Sequence, residues 1–178
     1  MKFADPQTNV LQLGLRDGMK VADLGVGSGH YAIAAAHAIG ESGRVYAVDV
    51  QEELLAHVRD AASQVRLRNI ETVWGDIEKQ GGTKLKPDSM DAVILSNVLF
   101  QVKRKEAAVA EVKRVIAPEG KLLIVDWAGA FGGIGPRPEH VIPERRAEEL
   151  FTDAGFLKVK SFNAGAHHYA IVFRAPAA

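Results

Sequence analysis

The chain has 178 residues, its 22 Lys+Arg balanced by 22 Asp+Glu, and it contains no cysteine. A neutral chain offers no general attraction to phosphate backbones, so extended nucleic acid is not an expected partner; without thiols there are no disulfides, zinc–thiolate sites or cysteine nucleophiles. The start MKFADPQTNV lacks an apolar leader core and no run approaches the ~18 apolar residues of a membrane span, so one cytoplasmic domain over 1–178 is expected, burying roughly 70% of its unfolded surface.

Strand-like and helix-like segments alternate along the whole chain, the signature of an α/β sheet. A short helix is predicted over Thr8–Leu15, ended by Asp17-Gly18, followed by a strand at Met19–Leu24. A helix over His30–Ile39 and a break at Gly40–Gly43 lead to a second strand, Val45–Val48. The helix Glu52–Val65 then presents Leu54, Leu55, Val58 and Ala62 on one face. Strand three is Ile70–Trp74. Strand four, Ala92–Leu95, is a continuous apolar run suited to burial on both faces. A helix over Lys103–Ile116 carries Ala108, Val112, Val115 and Ile116 inward, and Pro118-Glu119-Gly120 is read as a turn into strand five, Lys121–Val125. Pro143 opens a helix over Glu144–Asp153, capped by Gly155. The last strands, Phe156–Phe162 and His168–Phe173, are separated by only about five residues, too few for a helical crossover, so they must be antiparallel.

The chemistry concentrates at strand ends. Residues 21–31 read VADLGVGSGHY: a strand running into Gly25-Val26-Gly27-Ser28-Gly29 and then a helix. Glycines at such a turn admit positive φ and let a ligand lie against the backbone. Asp49, at the end of the next strand, suits a ribose diol because a carboxylate accepts from both hydroxyls. The third glycine is displaced from the dinucleotide pattern, with His30 in its place. Asp23, two residues before Gly25, would repel a pyrophosphate and favour an ammonium or sulfonium charge.

Taken together, Asp23, the GxGxG turn and Asp49 closely resemble the S-adenosylmethionine site of class I methyltransferases. The resemblance runs from Met19 through Arg174 and is closest to the small stand-alone group that includes ubiquinone/menaquinone-pathway C-methyltransferases; VDW (Val125–Trp127), EELFTDAGF (Glu148–Phe156) and HHYAIVFR (His167–Arg174) look like that group. It implies a three-layer α/β sandwich: a seven-stranded, mostly parallel sheet with one antiparallel strand from a C-terminal hairpin. It also implies S-adenosyl-L-methionine as cofactor, with S-adenosyl-L-homocysteine as product.

Within that resemblance, Asp23, Gly25, Gly27, Ser28 and Gly29 would face the methionine and ribose portions, and Val50 would pack on adenine beside Asp49. Gly75-Asp76-Ile77 resembles the family's third signature, Asp76 accepting from the adenine amino group and Ile77 covering the ring; as Gly and Asp it also reads as a plain strand-end turn. Ser96 and Asn97 lie where the methyl group should rest. Many members carry paired histidines where this chain has Phe100-Gln101, which removes the obvious imidazole base. Asn97 orients an acceptor or bonds local backbone. The Gly/Pro-rich stretch Ala128–Pro143 reads as a lid, with Trp127, Phe131 and His140 forming the wall opposite the methyl group, and Arg137, Glu139 and His140 available to a polar acceptor. Asn97 and His140 are the candidate catalytic residues. His30, His37, His57 and His167 read as surface or strand-end residues, and no cluster has metal spacing. The expected partner is a small-molecule methyl acceptor. A protein or RNA methyltransferase, a nicotinamide oxidoreductase and a non-catalytic nucleotide-binding scaffold stand as alternatives, and the oligomeric state is open.

Overall fold

A computed structural model describes residues 4–178; residues 1–3 of the expected domain lie outside the described residues. The elements run α1 (Pro6–Leu11), β1 (Lys20–Leu24), α2 (His30–Ala38), β2 (Arg44–Asp49), α3 (Glu52–Gln64), β3 (Ile70–Trp74), β4 (Met90–Ser96), α4 (Lys105–Val115), β5 (Ile116–Trp127), a single 3-10 turn (Pro138–His140), α5 (Glu144–Thr152), β6 (Leu157–Gly165) and β7 (His168–Arg174). One seven-stranded sheet has the order β3-β2-β1-β4-β5-β7-β6. Its first five strands pair in parallel, and β7 pairs antiparallel with both β5 and β6. The expected mostly parallel sheet with its C-terminal hairpin is therefore present.

Alternation along the central strands divides the interior into two cores. In β4, Val93 and Leu95 join α4 and α5, while Ala92 and Ile94 join α1, α2 and α3. The same two-residue period repeats in β5, where Leu122 and Ile124 face one layer and Leu123 and Val125 the other. Strands covered on both faces read as near-continuous apolar runs, as β4 and β5 do. Three aromatic rings, Phe151, Phe156 and Phe173, pack edge-on and tilted at 5.5–6.4 Å between α5 and the hairpin. None of the described helices is long and apolar enough to cross a membrane.

Some boundaries differ from the expectation for identifiable reasons. The first helix starts at Pro6 because Asp5 caps it, its carboxylate accepting from the Gln7 and Thr8 N–H groups at 3.2 and 3.3 Å, with proline in the first turn; it closes at Leu11, where the Gln12, Leu13 and Gly14 N–H groups bond back three residues. Pro118-Glu119-Gly120 is no inter-element turn. It bulges out of β5 between the pairs Met90–Ile116 and Ala92–Lys121, with Glu119 at φ +62°. Pro143 stands just outside α5, its carbonyl accepting from Arg146 and Ala147. The helix closes as expected at Gly155, where the Gly155 and Phe156 N–H groups bond back to Thr152 and Phe151.

The ends of β1, β2, β3, β4 and β5 all open on the same edge of the sheet. Parallel order places ligands at that edge.

Candidate active site

At the carboxyl end of β1 the turn to α2 is anchored from β2: the Gly25 and Val26 N–H groups both bond to the Val48 carbonyl, at 2.8 and 3.0 Å. Asp49 completes the anchor, one carboxylate oxygen accepting from Gly27 N–H at 3.1 Å and the other from Gln51 N–H at 3.0 Å. Gly27 sits at φ +52°, and a Cβ there would meet nothing closer than 4.0 Å. It would project into open space beside the turn. Gly29, at φ +82°, differs: its Cβ would lie 2.8 Å from Val58, so its absence is what seats α3 against the turn.

Two cavities meet at this turn. The first, about 270 Å³, is formed by Asp49, Val50 and Leu54 on one side and Gly75, Asp76 and Ile77 on the other. Val50 is half exposed there, while Ile77 is buried. Burial raises the Asp76 carboxyl, but the Glu78 N–H at 2.9 Å and the Lys79 ammonium at 3.2 Å outweigh it and hold the group below the usual carboxylate range. The second cavity, about 290 Å³, is lined by Asp23, Ser28, Ser96, Asn97, Trp127 and His168 among others. Gly25, Gly27 and Gln101 border both cavities.

Asp23 is almost fully buried, and burial pushes its carboxyl up to about 8, with the Ala32 N–H opposing and the Asp49 charge adding to the rise. The interaction with Ala32 places Asp23 at the start of α2, where the pyrophosphate of a dinucleotide would need those donors. Asp23 thus takes up a donor at the helix start that a dinucleotide pyrophosphate would use. Its Oδ2 has no hydrogen-bond partner. Among the described residues four buried side-chain polar atoms share that state, and three of them, Asp23 Oδ2, Asn97 Oδ1 and His168 Nε2, belong to residues lining this cavity. Buried polar atoms are normally paired, so such a concentration marks a place that a polar ligand completes.

Asn97 holds an unusual backbone, φ +57°, at the end of β4, with its N–H on Val125 O at 2.8 Å and its carbonyl accepting from the Gln101 amide at 2.8 Å. Ser96 lines the same cavity and interacts with the Tyr31 hydroxyl, which also accepts from Asn9 at 2.8 Å. Ser28 is exposed, its hydroxyl 2.8 Å from His30 Nδ1. At the end of β5, buried Asp126 accepts from Leu99 N–H at 3.0 Å and Trp127 N–H at 2.8 Å; burial lifts it to about 6.

The expected wall of Trp127, Phe131 and His140 does not assemble. Trp127 lines the cavity, its indole packed 4.3 Å from the His168 ring, and Gly135 lies so close to the indole that a Cβ would stand 2.6 Å from it. Phe131 instead stacks on His167 at 4.0 Å, because the Phe131–Ile134 bridge turns the loop back on itself. His140 faces an adjoining cavity with Phe100 and Gln101.

His168 escaped the sequence reading. Its Nδ1 lies 2.9 Å from the Ala166 carbonyl, which makes Nδ1 the protonated nitrogen and leaves Nε2 with a free lone pair; burial lowers its pKa and keeps the ring neutral. The antiparallel β5–β7 register that pairs Lys121 with Arg174 sets His168 opposite Trp127, a pairing the sequence alone does not fix. The described residues contain no group of three metal-binding side chains.

An open α/β sheet with a carboxylate at the second strand end, a glycine turn whose following helix start is bonded by Asp23 and an antiparallel terminal hairpin defines the class I methyltransferase architecture. A methyltransferase-domain family model matches residues 15–160, and the chain belongs to that family, the class I S-adenosylmethionine-dependent methyltransferases. It is 30% identical over 140 residues to a ubiquinone/menaquinone biosynthesis C-methyltransferase from Shewanella piezotolerans, covering 78% of this chain and 51% of that protein. A protein of the same description from Cupriavidus taiwanensis is 33% identical over 121 residues, covering 67% of this chain and 47% of its own length. The chain thus spans about half the length of these relatives. Among solved structures, a SAM-dependent methyltransferase from Aquifex aeolicus superposes with a TM-score of 0.86 at 28% identity, covering 96% of this chain and 89% of that one.

S-adenosylmethionine is the cofactor of this class, and the residues present fit it. The unpartnered Asp23 oxygen meets the need of an ammonium, and the space a Gly27 side chain would fill admits a ligand against the backbone.

Proposed function

We propose that the chain binds S-adenosylmethionine across the two joined cavities and methylates a small-molecule acceptor. The carrying observation is the set of unpartnered buried polar atoms on Asp23, Asn97 and His168 around one cavity, contiguous at Gly25 and Gly27 with the pocket of Asp49 and Asp76. Asp49 would accept from the ribose hydroxyls with the lone pairs its two backbone donors leave free. Asp76 and Ile77 would hold the adenine, Val50 packing on its other face, and Asp23 the methionine ammonium. When bound, the cofactor supplies a methyl group already activated on a sulfonium.

The protein's own part is positioning. Asn97, its backbone fixed by Gln101 and by Val125, presents its amide to the acceptor, while Trp127 and His168 line the same cavity beside it. Holding two reactants in line accounts for much of the acceleration such a displacement needs. Because these relatives are C-methyltransferases, a carbon is the first acceptor atom to assay.

A thermal-shift panel with S-adenosylmethionine, S-adenosylhomocysteine, NAD and NADP tests the reading. Ligand at 100-fold over Kd stabilises by about 2.7 kcal/mol, which for a chain of this size raises Tm on the order of 5–10 °C. That shift is expected with the first two ligands alone. A shift with NAD and none with S-adenosylhomocysteine overturns the proposal.

A further inference from the structure

Gln101 borders a third cavity in addition to the two already described. This one, about 400 Å³, opens between the segment entering α4 and the loop 128–143. Phe100, Val102, Lys103 and Lys105 form one wall, and Pro136 and His140 the other. Val102 also borders the Asp49–Asp76 cavity, so the third space adjoins the first at Val102 and both at Gln101.

Its lining charges are the two lysines, Lys103 and Lys105, joined by the His140 imidazole as a hydrogen-bonding group. No carboxylate lines it, and Lys103 and His140 have no ion-pair partner among the described residues. Lys105 is held on the wall by its hydrogen bond to Val102 O at 2.7 Å, and its charge is shared with Asp126 behind it. Arg104, between the two lysines, is turned away onto Glu78, donating to that residue's carbonyl at 2.6 Å. On the loop side the exposed Arg137 adds a second cation with no ion-pair partner among the described residues, set against the exposed Glu139 next to His140. On a chain of zero net charge this is a local excess, and it stands beside an apolar patch, Phe100, Val102 and Pro136. A compact anion gains most from such flexible point charges, since an ammonium needs no planar partner.

We infer that this third cavity holds the methyl acceptor and that the acceptor is a small organic acid. Its carboxylate lies between Lys103 and His140, its apolar body lies over Phe100 and Val102, and its reacting atom points past Gln101 toward Asn97. This assignment rests on the methyltransferase reading above.

The test uses the full chain saturated with S-adenosylhomocysteine in 0.15 M salt, about one Debye length of 8 Å, titrated by NMR with 4-hydroxybenzoate and its neutral isostere 4-hydroxybenzamide. The acid is expected to bind at least ten-fold tighter than the amide. In Lys103→Ala, an exposed site whose loss leaves the fold intact, the preference should shrink to within about three-fold while S-adenosylhomocysteine affinity stays unchanged. Equal binding of acid and amide, no binding of the acid, or a preference that survives in a Lys103→Ala/His140→Ala double variant overturns the inference. Phenyl phosphate forms a third arm: tighter binding than 4-hydroxybenzoate overturns the choice of carboxylate. Cofactor binding is read first in the same samples. Its failure sinks the underlying function, whereas intact cofactor binding without an acid preference sinks this inference alone.

Discussion

Asp49 performs two tasks with one carboxylate. It ties Gly27 and Gln51 in place through their N–H groups, and it faces the cavity proposed for the ribose. Asp49→Ala therefore removes a charged acceptor from the ligand and slackens the turn that shapes the pocket. Loss of a hydrogen bond to a charged group is worth about 1.5–3 kcal/mol, so calorimetry should show at least ten-fold weaker S-adenosylhomocysteine binding. Amide exchange at Gly27 should also accelerate in the free protein. Unchanged affinity would remove the second strand end from the ribose site. The turn's glycines divide the same way. Gly27→Ala and Gly29→Ala both place a side chain at positive φ, a strain of roughly 1–2 kcal/mol, but only the second also drives a Cβ to 2.8 Å from Val58. Gly29→Ala is expected to lower Tm more than Gly27→Ala, and Gly27→Ala to lose more cofactor affinity relative to its Tm cost. Parallel losses in both variants would contradict the division.

At the scale of elements, the loop 128–143 is mostly exposed and touches the site through Gly135 against Trp127, and through Pro136 and His140 on the third cavity. Replacing Gly132–Glu139 by a short linker is expected to leave S-adenosylhomocysteine affinity within a few-fold and to abolish transfer to the acceptor. Hydrogen exchange across 128–143 should slow only when cofactor and acceptor probe are both present. A shortened variant with full activity would move acceptor binding to Asn97 and the α1 side, where Ala4 and Pro6 border the cavity. Strands were the most legible elements, because β4 and β5 are apolar on both faces and β3 is bounded by Asn69 and Gly75; the latter matches residue for residue. Helix ends shifted where a cap decided them, as Asp5 did for α1. The glycine turn, Asp49 and Asp76 were legible because their chemistry is local to strand ends that the parallel order brings together. His168, Tyr31 and the third cavity were not, since each depends on side-chain direction across non-adjacent elements. The same limit separated Phe131 and His140, which the sequence places nine residues apart on one loop and the structure turns to different neighbours.

Three buried carboxyl groups contribute most visibly to the pH response of the whole molecule. Burial lifts Asp23 to about 8 and Asp126 to about 6, against an ordinary value of 3.8. Glu111 is also buried, but the Arg114 guanidinium at 2.7 Å, the Thr83 hydroxyl at 2.6 Å and the Gly81 and Thr83 N–H groups outweigh that burial and hold it down at about 2. The native chain keeps protons on Asp23 and Asp126 that the unfolded chain has released, so their contribution is full below 3.8 and is lost as pH rises through about 6 and then about 8. Glu111 has the opposite sign: its contribution is full above its ordinary 4.5 and is lost as pH falls toward about 2. Burial of neutral His168 opposes the two aspartates below its ordinary 6.5, where the unfolded chain takes up a proton the native ring resists, so the clear signature lies above that value: the Tm of the free protein should decline from pH 6.5 to 8 as Asp23 ionises. A bound ammonium changes this balance, because it stabilises ionised Asp23 and expels that proton. The Tm gap between S-adenosylhomocysteine-loaded and free protein should widen from pH 6 to 8, and calorimetry in two buffers of different ionisation enthalpy should register proton release. Asp23→Asn should flatten both responses and raise the Tm of the free protein at pH 8. A gap that stays constant with pH, with no proton released, would place the ammonium away from Asp23 and leave that buried carboxyl with the α2 start as its sole task.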